Sequence, residues 1–480
     1  MTDTSSRPAP TGGQIDRRSF LKTSALAVGS TAMAGSLLQG LMARAALAAD
    51  GRPVRAAGPT SGGYGRLRPT APEMPVQRYP RVNWLALPDG FQYVVFGLAG
   101  DALSDHNPTP KAHDGMAAFP AGRGKVRLVR NHEVRDPLGS LPPIGDNAYD
   151  PTAPSGTTTL EIDVSREIPR LERDWVSLSG TYVNCAGGPA PDGAWVSCEE
   201  TVAEGVEPHG YAFRVPSGAN RPTDPTPLTH LGRFVHEAVA FDPRTGIIHL
   251  TEDSGKTSGF YRYVAPLGGD YTRPGGRLEM LAVKGRPKYA TYRGQKVGRS
   301  LTVAWVPVED PAPDNADSES VFNQGWELGG AAFARLEGAW WGNGEIYFNS
   351  TSGGEADNGQ VWAYRPAGGS DGQLTLLFES PGAAVLDSPD NITVSPRGGI
   401  VLCEDGGGDQ YLRGLTRDGR IFDLAVNLVD GSEWAGATFS PDGRILFVNT
   451  QGTTRGPIPA GPANIGRTYA IWGPWARGAL

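Results

Sequence analysis

Cysteine is nearly absent: the chain has three in 480 residues, at positions 185, 198 and 403. That excludes a disulfide-framed scaffold, and the odd number leaves at least one thiol without an intramolecular partner. Long charged runs are few and no basic patch is present, so no nucleic acid partner is expected. The chain also lacks a nucleophile elbow, a phosphate-cradling glycine loop and a paired CxxC site. What it does have is 66 Gly and 41 Pro without a collagen period, which fits many short strands and many turns. Net charge is −7, a mild acidic excess that suits carboxylates gathered around cations.

The first 48 residues read as a twin-arginine export signal. Arg17-Arg18-Ser19-Phe20-Leu21-Lys22 precedes an alanine-rich apolar run to Leu41, and Ala46-Leu47-Ala48 offers a small-residue cleavage site. The export machinery is therefore an expected partner, and the destination is periplasmic or extracellular. Residues 49–75, rich in Gly, Pro and Arg, read as a linker or extended arm. Residues 76–480 read as a single catalytic domain.

One plan recurs through that domain: a polar head, an apolar run, a turn, and a second apolar run ending on a carboxylate or amide. Its clearest copy runs from His236-Glu237 through the Asp242-Pro243 and Gly246 turn to Glu252-Asp253. The other copies start at His113-Asp114, Asn184, Glu337, Asp390-Asn391 and Glu433. They end at Asn131-His132-Glu133, Cys198-Glu199-Glu200, Asn349, Cys403-Glu404-Asp405 and Asn449. Six copies of short strands with a turn in each predict an all-β, six-bladed β-propeller. A long insertion between the third and fourth copies, about Pro266 to Arg335, is placed to cap the face that carries the site.

Equivalent positions of successive blades face one axis, so these carboxylates converge on a central funnel. Converging carboxylates must be protonated, paired or bound to cations, and the basic residues inside the motifs are few, chiefly Arg130, Arg135 and Arg335. Oxygen ligands suit a hard cation such as calcium. The Cys198-Glu199-Glu200 triplet adds a thiolate and points to a transition metal beside it. Glu252 and Glu404 occupy the same place after apolar strands, and ligation is expected for both. Glu133 and Glu200 could instead pair with arginine. Cys185 reads as a small buried hydrophobe, and Cys403 either as filler or as a neighbour of Cys198 by blade symmetry. Asp192 and Asp442 lie in Pro-Asp-Gly turns and read as structural, and His249 reads as a core histidine.

At these residues the chain resembles the PhoX family of bacterial alkaline phosphatases. The matching stretches are Leu103 to Met116, Arg130-Asn131-His132-Glu133, Cys198 to Thr201, His236-Glu237-Ala238, Glu252-Asp253, Arg335 to Glu337, Ser388 to Asn391, Cys403 to Gly406 and Glu433 to Gly436. The resemblance implies phosphate-ester hydrolysis outside the cytoplasm at a mixed cluster of calcium and iron. It implies Cys198 as a thiolate ligand to iron, and Glu252, Glu337 and nearby carboxylates as ligands to both metals. Those nearby carboxylates are Glu199, Glu237, Glu404 and Asp405. It further implies that Asn131 and Glu133 complete calcium coordination and that Arg335 binds a phosphate oxygen of the substrate. A monomer is expected. Two other readings remain open at this point: a calcium-dependent lactonase or esterase on a propeller, and a non-catalytic binding propeller stabilised by metal.

Overall fold

The computed structural model describes residues 63–266, 269–367 and 371–480. The export signal and the first part of the arm lie outside the described residues. Among those residues nearly all regular structure is antiparallel strand. Six two-strand hairpins recur: His113–Pro120 with Lys125–His132, Asn184–Pro189 with Ala194–Glu199, His236–Phe241 with Ile248–Glu252, Leu336–Gly342 with Glu345–Ser350, Pro389–Val394 with Ile400–Glu404, and Trp434–Phe439 with Ile445–Thr450. Further strands extend each hairpin outward. Each leading strand lies beside the leading strand of the next hairpin, and the sixth lies beside the first. The result is a propeller-like ring.

The turn chemistry explains why the chain folds back where it does. In the fourth hairpin Gly342 pairs with Glu345 across the two residues Asn343 and Gly344, with φ of 54° and 82°. That left-handed pair is what a two-residue hairpin requires, and Asn-Gly adopts it at least cost. In the sixth, Asp442 accepts the Arg444 N–H and the Ser440 hydroxyl, the structural role its turn predicts. The apolar runs are buried between neighbouring sheets. Val401, Leu412, Leu424, Leu446 and Ile471 share one cluster, and Val239, Leu250, Tyr261 and Met280 share another. Each such side chain contributes roughly 1.5–3 kcal/mol by leaving water.

The ring is closed by the two ends of the domain. Gln92–Phe96 pairs with Arg467–Trp472 to complete the sixth sheet. Residues 67–70, expected in the arm, instead form a strand paired with Leu85–Pro88 on the outer edge of the fifth sheet. The insertion is also built in differently from a cap. Arg277–Val283 and Ser300–Val308 extend the third sheet, and Ser300–Val308 then pairs with Gly372–Glu379 of the fourth. Third and fourth sheets thereby become one nine-stranded sheet joined at the rim. Two loops of the insertion reach the funnel end. Arg233 holds the loop around 311–319 through the carbonyls of Pro311, Pro313 and Asp314, with Glu319 meeting Thr257, and residues 292–294 meet Gly354, Glu355 and Asp357.

Candidate metal centre and active site

The six hairpins carry one register at their mouths. His113 pairs with His132, Asn184 with Glu199, His236 with Glu252, Leu336 with Ser350, Pro389 with Glu404 and Trp434 with Thr450. A bulge follows in every leading strand, a device that re-aims side chains beside a site. Successive strand residues point to opposite sides. The mouth residues turn into the packing between sheets, and their neighbours turn to the axis.

Three columns of residues result. The head column, one residue after the mouth, is Asp114, Cys185, Glu237, Glu337, Asp390 and Ala435. The exit column, one residue past the second strand's mouth, is Glu133, Glu200, Asp253, Thr351, Asp405 and Gln451. The entry column, two residues before the head, is Ala112, Val183, Val235, Arg335, Ser388 and Glu433. In every hairpin the exit residue's N–H donates to the entry residue's carbonyl. The turn is tight enough that Ala112, Val183, Arg335 and Ser388 have φ between 48° and 54°. That is a left-handed conformation non-glycine residues adopt only under constraint. In the sixth hairpin Gly436, at φ 62°, lets the first leading strand approach, for a Cβ there would stand 2.5 Å from the Asp114 carbonyl oxygen.

These columns enclose a cavity of about 200 Å³ lined by Glu133, Arg135, Cys185, Glu200, Arg335, Glu337, Asp390, Asp405, Glu433, Gln451 and Thr454. Three overlapping clusters have ligand atoms within 4.8 Å of one another: Asp114, Glu133 and Cys185; Cys185, Glu200 and Glu237; Glu237, Glu337 and Asp390. Both carboxylate oxygens of Glu237 are buried with no hydrogen-bond partner among the described residues. Such a group is costly unless a cation or proton meets it.

The electrostatics state the same problem. Burial, followed by Glu133 and Asp390, holds Asp114 well above the ordinary carboxyl range. Burial and then Asp390, Glu200 and Asp114 do so for Glu237, and burial with Asp253 and Asp390 for Glu337. Burial with Asp405 and Asp390 raises Glu433 likewise. Asp390 is pushed up to about 7 by burial and Asp405. Burial, followed by Asp114, Glu237, Glu200 and Glu133, pushes the Cys185 thiol up, and its sulfur stands 3.7 Å from Asp114 Oδ2. The compensating groups are few. Arg335 pairs with Asp253 and Glu337, Arg135 with Glu133 and Glu200, and Gln451 donates to Asp114, Glu133 and Glu433.

Of the residues expected at the site, Glu133, Glu237, Arg335, Glu337 and Asp405 do converge there. Five do not. Glu199 accepts the Tyr182, Gly210 and Tyr211 N–H groups and a bond from His209. Glu252 accepts the Gly259 N–H and the Tyr261 hydroxyl. Glu404 accepts the Asp387 and Tyr411 N–H groups and pairs with Arg413 at 2.7 Å. All three are mouth residues facing away from the axis, where each fastens the start of its sheet's third strand. Asn131 spends both ends of its amide inside the protein: it donates to the carbonyls of Cys185 and Ala186 and accepts from Trp195 and Ser197. It shares a column with Thr251, Asn349 and Asn449, which likewise reach carbonyls of a neighbouring leading strand.

Cys198 and Cys403 fill the other two places in that column. Cys198 is buried among Phe234, Val239 and Tyr261, and Cys403 lies in a different apolar cluster. The thiol at the funnel is Cys185. Glu200, for which the sequence left an arginine pair and a place at the site both open, lines the funnel and pairs with Arg135. Asp114, Asp390 and Glu433, expected to converge there, do so as well. Aligning the six copies on their heads would have placed Cys185 in a column of carboxylates.

Comparison with known proteins identifies the family and the fold. A family model described as alkaline phosphatase PhoX matches residues 73–453. A search of curated protein sequences finds no match. Among solved structures, PhoX of Pseudomonas fluorescens, determined in complex with vanadate as a transition state analogue, aligns over 81% of this chain and 96% of its own. The TM-score is 0.61 and the identity 16%, a likeness of fold. A luciferin-regenerating enzyme (TM-score 0.39, 12% identity, 76% of this chain and 92% of that one) is more distant. So is a gluconolactonase of Xanthomonas campestris (TM-score 0.34, 12% identity, 77% and 100%).

Proposed function

The chain belongs to the PhoX alkaline phosphatase family and is a phosphoric ester hydrolase, and from that premise we propose that the acidic funnel is its active site. We assign the metal ligands to Asp114, Glu133, Cys185, Glu200, Glu237, Glu337 and Asp390, with Asp405 and Glu433 beside them. The observation that carries the assignment is the buried, unpartnered Glu237 carboxylate set among Cys185, Glu200, Glu337 and Asp390. Carboxylate oxygens fit calcium, and the single thiolate of Cys185 fits iron. The ring is read as six blades, one per hairpin. The twin-arginine motif supports export, and no helix among the described residues is long and apolar enough to cross a membrane.

Cations bound in the funnel would neutralise phosphoryl oxygens and favour an ionised water at neutral pH. The chain's own residues do the rest. Head and exit carboxylates fix the positions of positive charge on three sides of the cavity. Arg335, raised in pKa by Glu337 and Asp253 and thus permanently charged, binds and orients a phosphoryl oxygen at the mouth. Apolar packing behind the columns keeps bulk water from the walls, which strengthens every charge interaction inside. No side-chain nucleophile is required.

The test is turnover of a chromogenic phosphate monoester by protein of measured metal content, with a chelated control. Turnover that disappears on chelation and returns with calcium and iron is the expected result. Fully loaded protein that hydrolyses no phosphate ester would overturn the assignment.

A further inference from the structure

We infer that Arg135 is a second phosphate-binding residue, sharing the funnel with Arg335, and that the pair selects phosphate monoesters over diesters. The inference rests on the active-site reading above. Both arginines line the same 200 Å³ cavity. Each is about one-third exposed at its mouth, with side-chain exposures of 33% and 37%. Each is clamped between carboxylates of adjacent hairpins: Arg135 between Glu133 and Glu200, Arg335 between Asp253 and Glu337. In both, Nε and Nη2 engage the carboxylates, while Nη1 has no protein acceptor among the described residues.

The placement of Arg135 is particular to the first hairpin. It lies two residues beyond the exit residue, where the other hairpins carry Val202, Gly255, Gly353, Gly407 and Thr453. Its backbone is fixed by a 2.9 Å bond from its N–H to the Thr454 carbonyl, so the side chain is launched from a defined point on the rim. A residue needed only to neutralise Glu133 and Glu200 gains nothing from a donor left facing open space. Two guanidinium groups on one small polar cavity, each with an Nη1 donor not taken by the protein, suit a tetrahedral anion. A guanidinium engages phosphoryl oxygens through paired N–H groups. A monoester offers three terminal oxygens and a diester two. Two arginines together with cations can all be used only by the monoester.

Arg135→Lys and Arg135→Ala, compared with Arg335→Ala and the parent at matched metal content, test this. Inorganic phosphate binding is measured by calorimetry, and kcat and KM are measured for a monoester and a diester. The expected result for Arg135→Ala is phosphate binding weakened about tenfold or more and a monoester-to-diester ratio of kcat/KM reduced by a similar factor. Arg135→Lys should lie between it and the parent, since a point charge keeps attraction but loses the fork. If both Arg135 variants bind phosphate as the parent does while Arg335→Ala does not, Arg135 is only a clamp for Glu133 and Glu200. That outcome overturns the inference and leaves the active-site reading standing. If the loaded parent and every variant alike fail to bind phosphate, both fall.

Discussion

Glu404 and Asp405 are neighbours in sequence, both acidic and both at the end of one strand, yet they belong to different parts of the molecule. Glu404 lies on the sheet side and meets donors on every side: two backbone N–H groups and Arg413. Asp405 lies on the axis side and meets other acids. Glu199 with Glu200, and Glu252 with Asp253, repeat the division. The first carboxylate of each doublet secures a sheet, and the second faces the funnel. The type of residue does not distinguish a ligand from a structural group here. The set of donors that meets it does.

The contrast is sharpest on the third hairpin, between Glu237, both of whose oxygens are buried without a nitrogen or hydroxyl donor among the described residues, and Glu252, whose Oε2 accepts from Gly259 and Tyr261. Glu237→Gln is expected to lower metal content and to reduce turnover on the order of 10²–10³-fold. Glu252→Gln should leave both near the parent level and cost roughly 1–3 kcal/mol of stability. Metal analysis, steady-state kinetics and denaturant unfolding separate the two. If Glu252→Gln lost metal and Glu237→Gln did not, the division would be inverted. The thiols give the next comparison. Cys185→Ser should lose iron and about 10–100-fold in turnover. Cys198→Ser should keep its iron and lose about 1–3 kcal/mol of stability from a hydroxyl in an apolar cluster.

This is also where the sequence was hardest to read. The repeat, its strands and its turns were legible because Gly, Pro and Asn-Gly turns punctuate apolar runs of even length. The convergence of acids was legible from their recurrence at fixed places in the repeat. Their assignment was not, because a one-residue step reverses a side chain's direction. A doublet places one acid on each side of the strand, and nothing in its two residues says which side is the axis. Cys198 beside two glutamates drew attention away from Cys185, the thiol that lines the funnel, whose sequence neighbours Asn184 and Ala186 carry no charge. The joining of the third and fourth sheets was illegible for a different reason, since Ser300–Val308 finds Gly372–Glu379 as a partner far away in sequence.

Smaller effects test the sheet side of the comparison alone. Glu404→Gln leaves Arg413 buried with only Asp423 as partner, and should cost about 2–3 kcal/mol with metal content unchanged. The smallest effect concerns Glu161, on the first sheet away from the funnel. Hydrogen bonds from Arg173, then from Arg127 and Lys125, hold it down at about 2. A depressed carboxyl contributes stability that is fully present above its unfolded value near 4.5 and is lost as pH falls through about 2. The difference in melting temperature between the parent and Glu161→Gln should therefore be constant at neutral pH and vanish near pH 2. It should be worth at most about 2 kcal/mol, because the Arg173 partner is well exposed. A difference that grew in acid would contradict the assignment.

The strand pairing that unites residues 92–96 with 467–472 also sets a clock. The Gln451 amide that bridges Asp114, Glu133 and Glu433 acts across 337 residues of chain. A ribosome adding 5–20 residues per second needs roughly 20–70 s to cover that distance. Throughout that interval the early carboxylates and Cys185 exist without their late neighbours. The ring is closed, and the funnel wall complete, only once the last hairpin has been made.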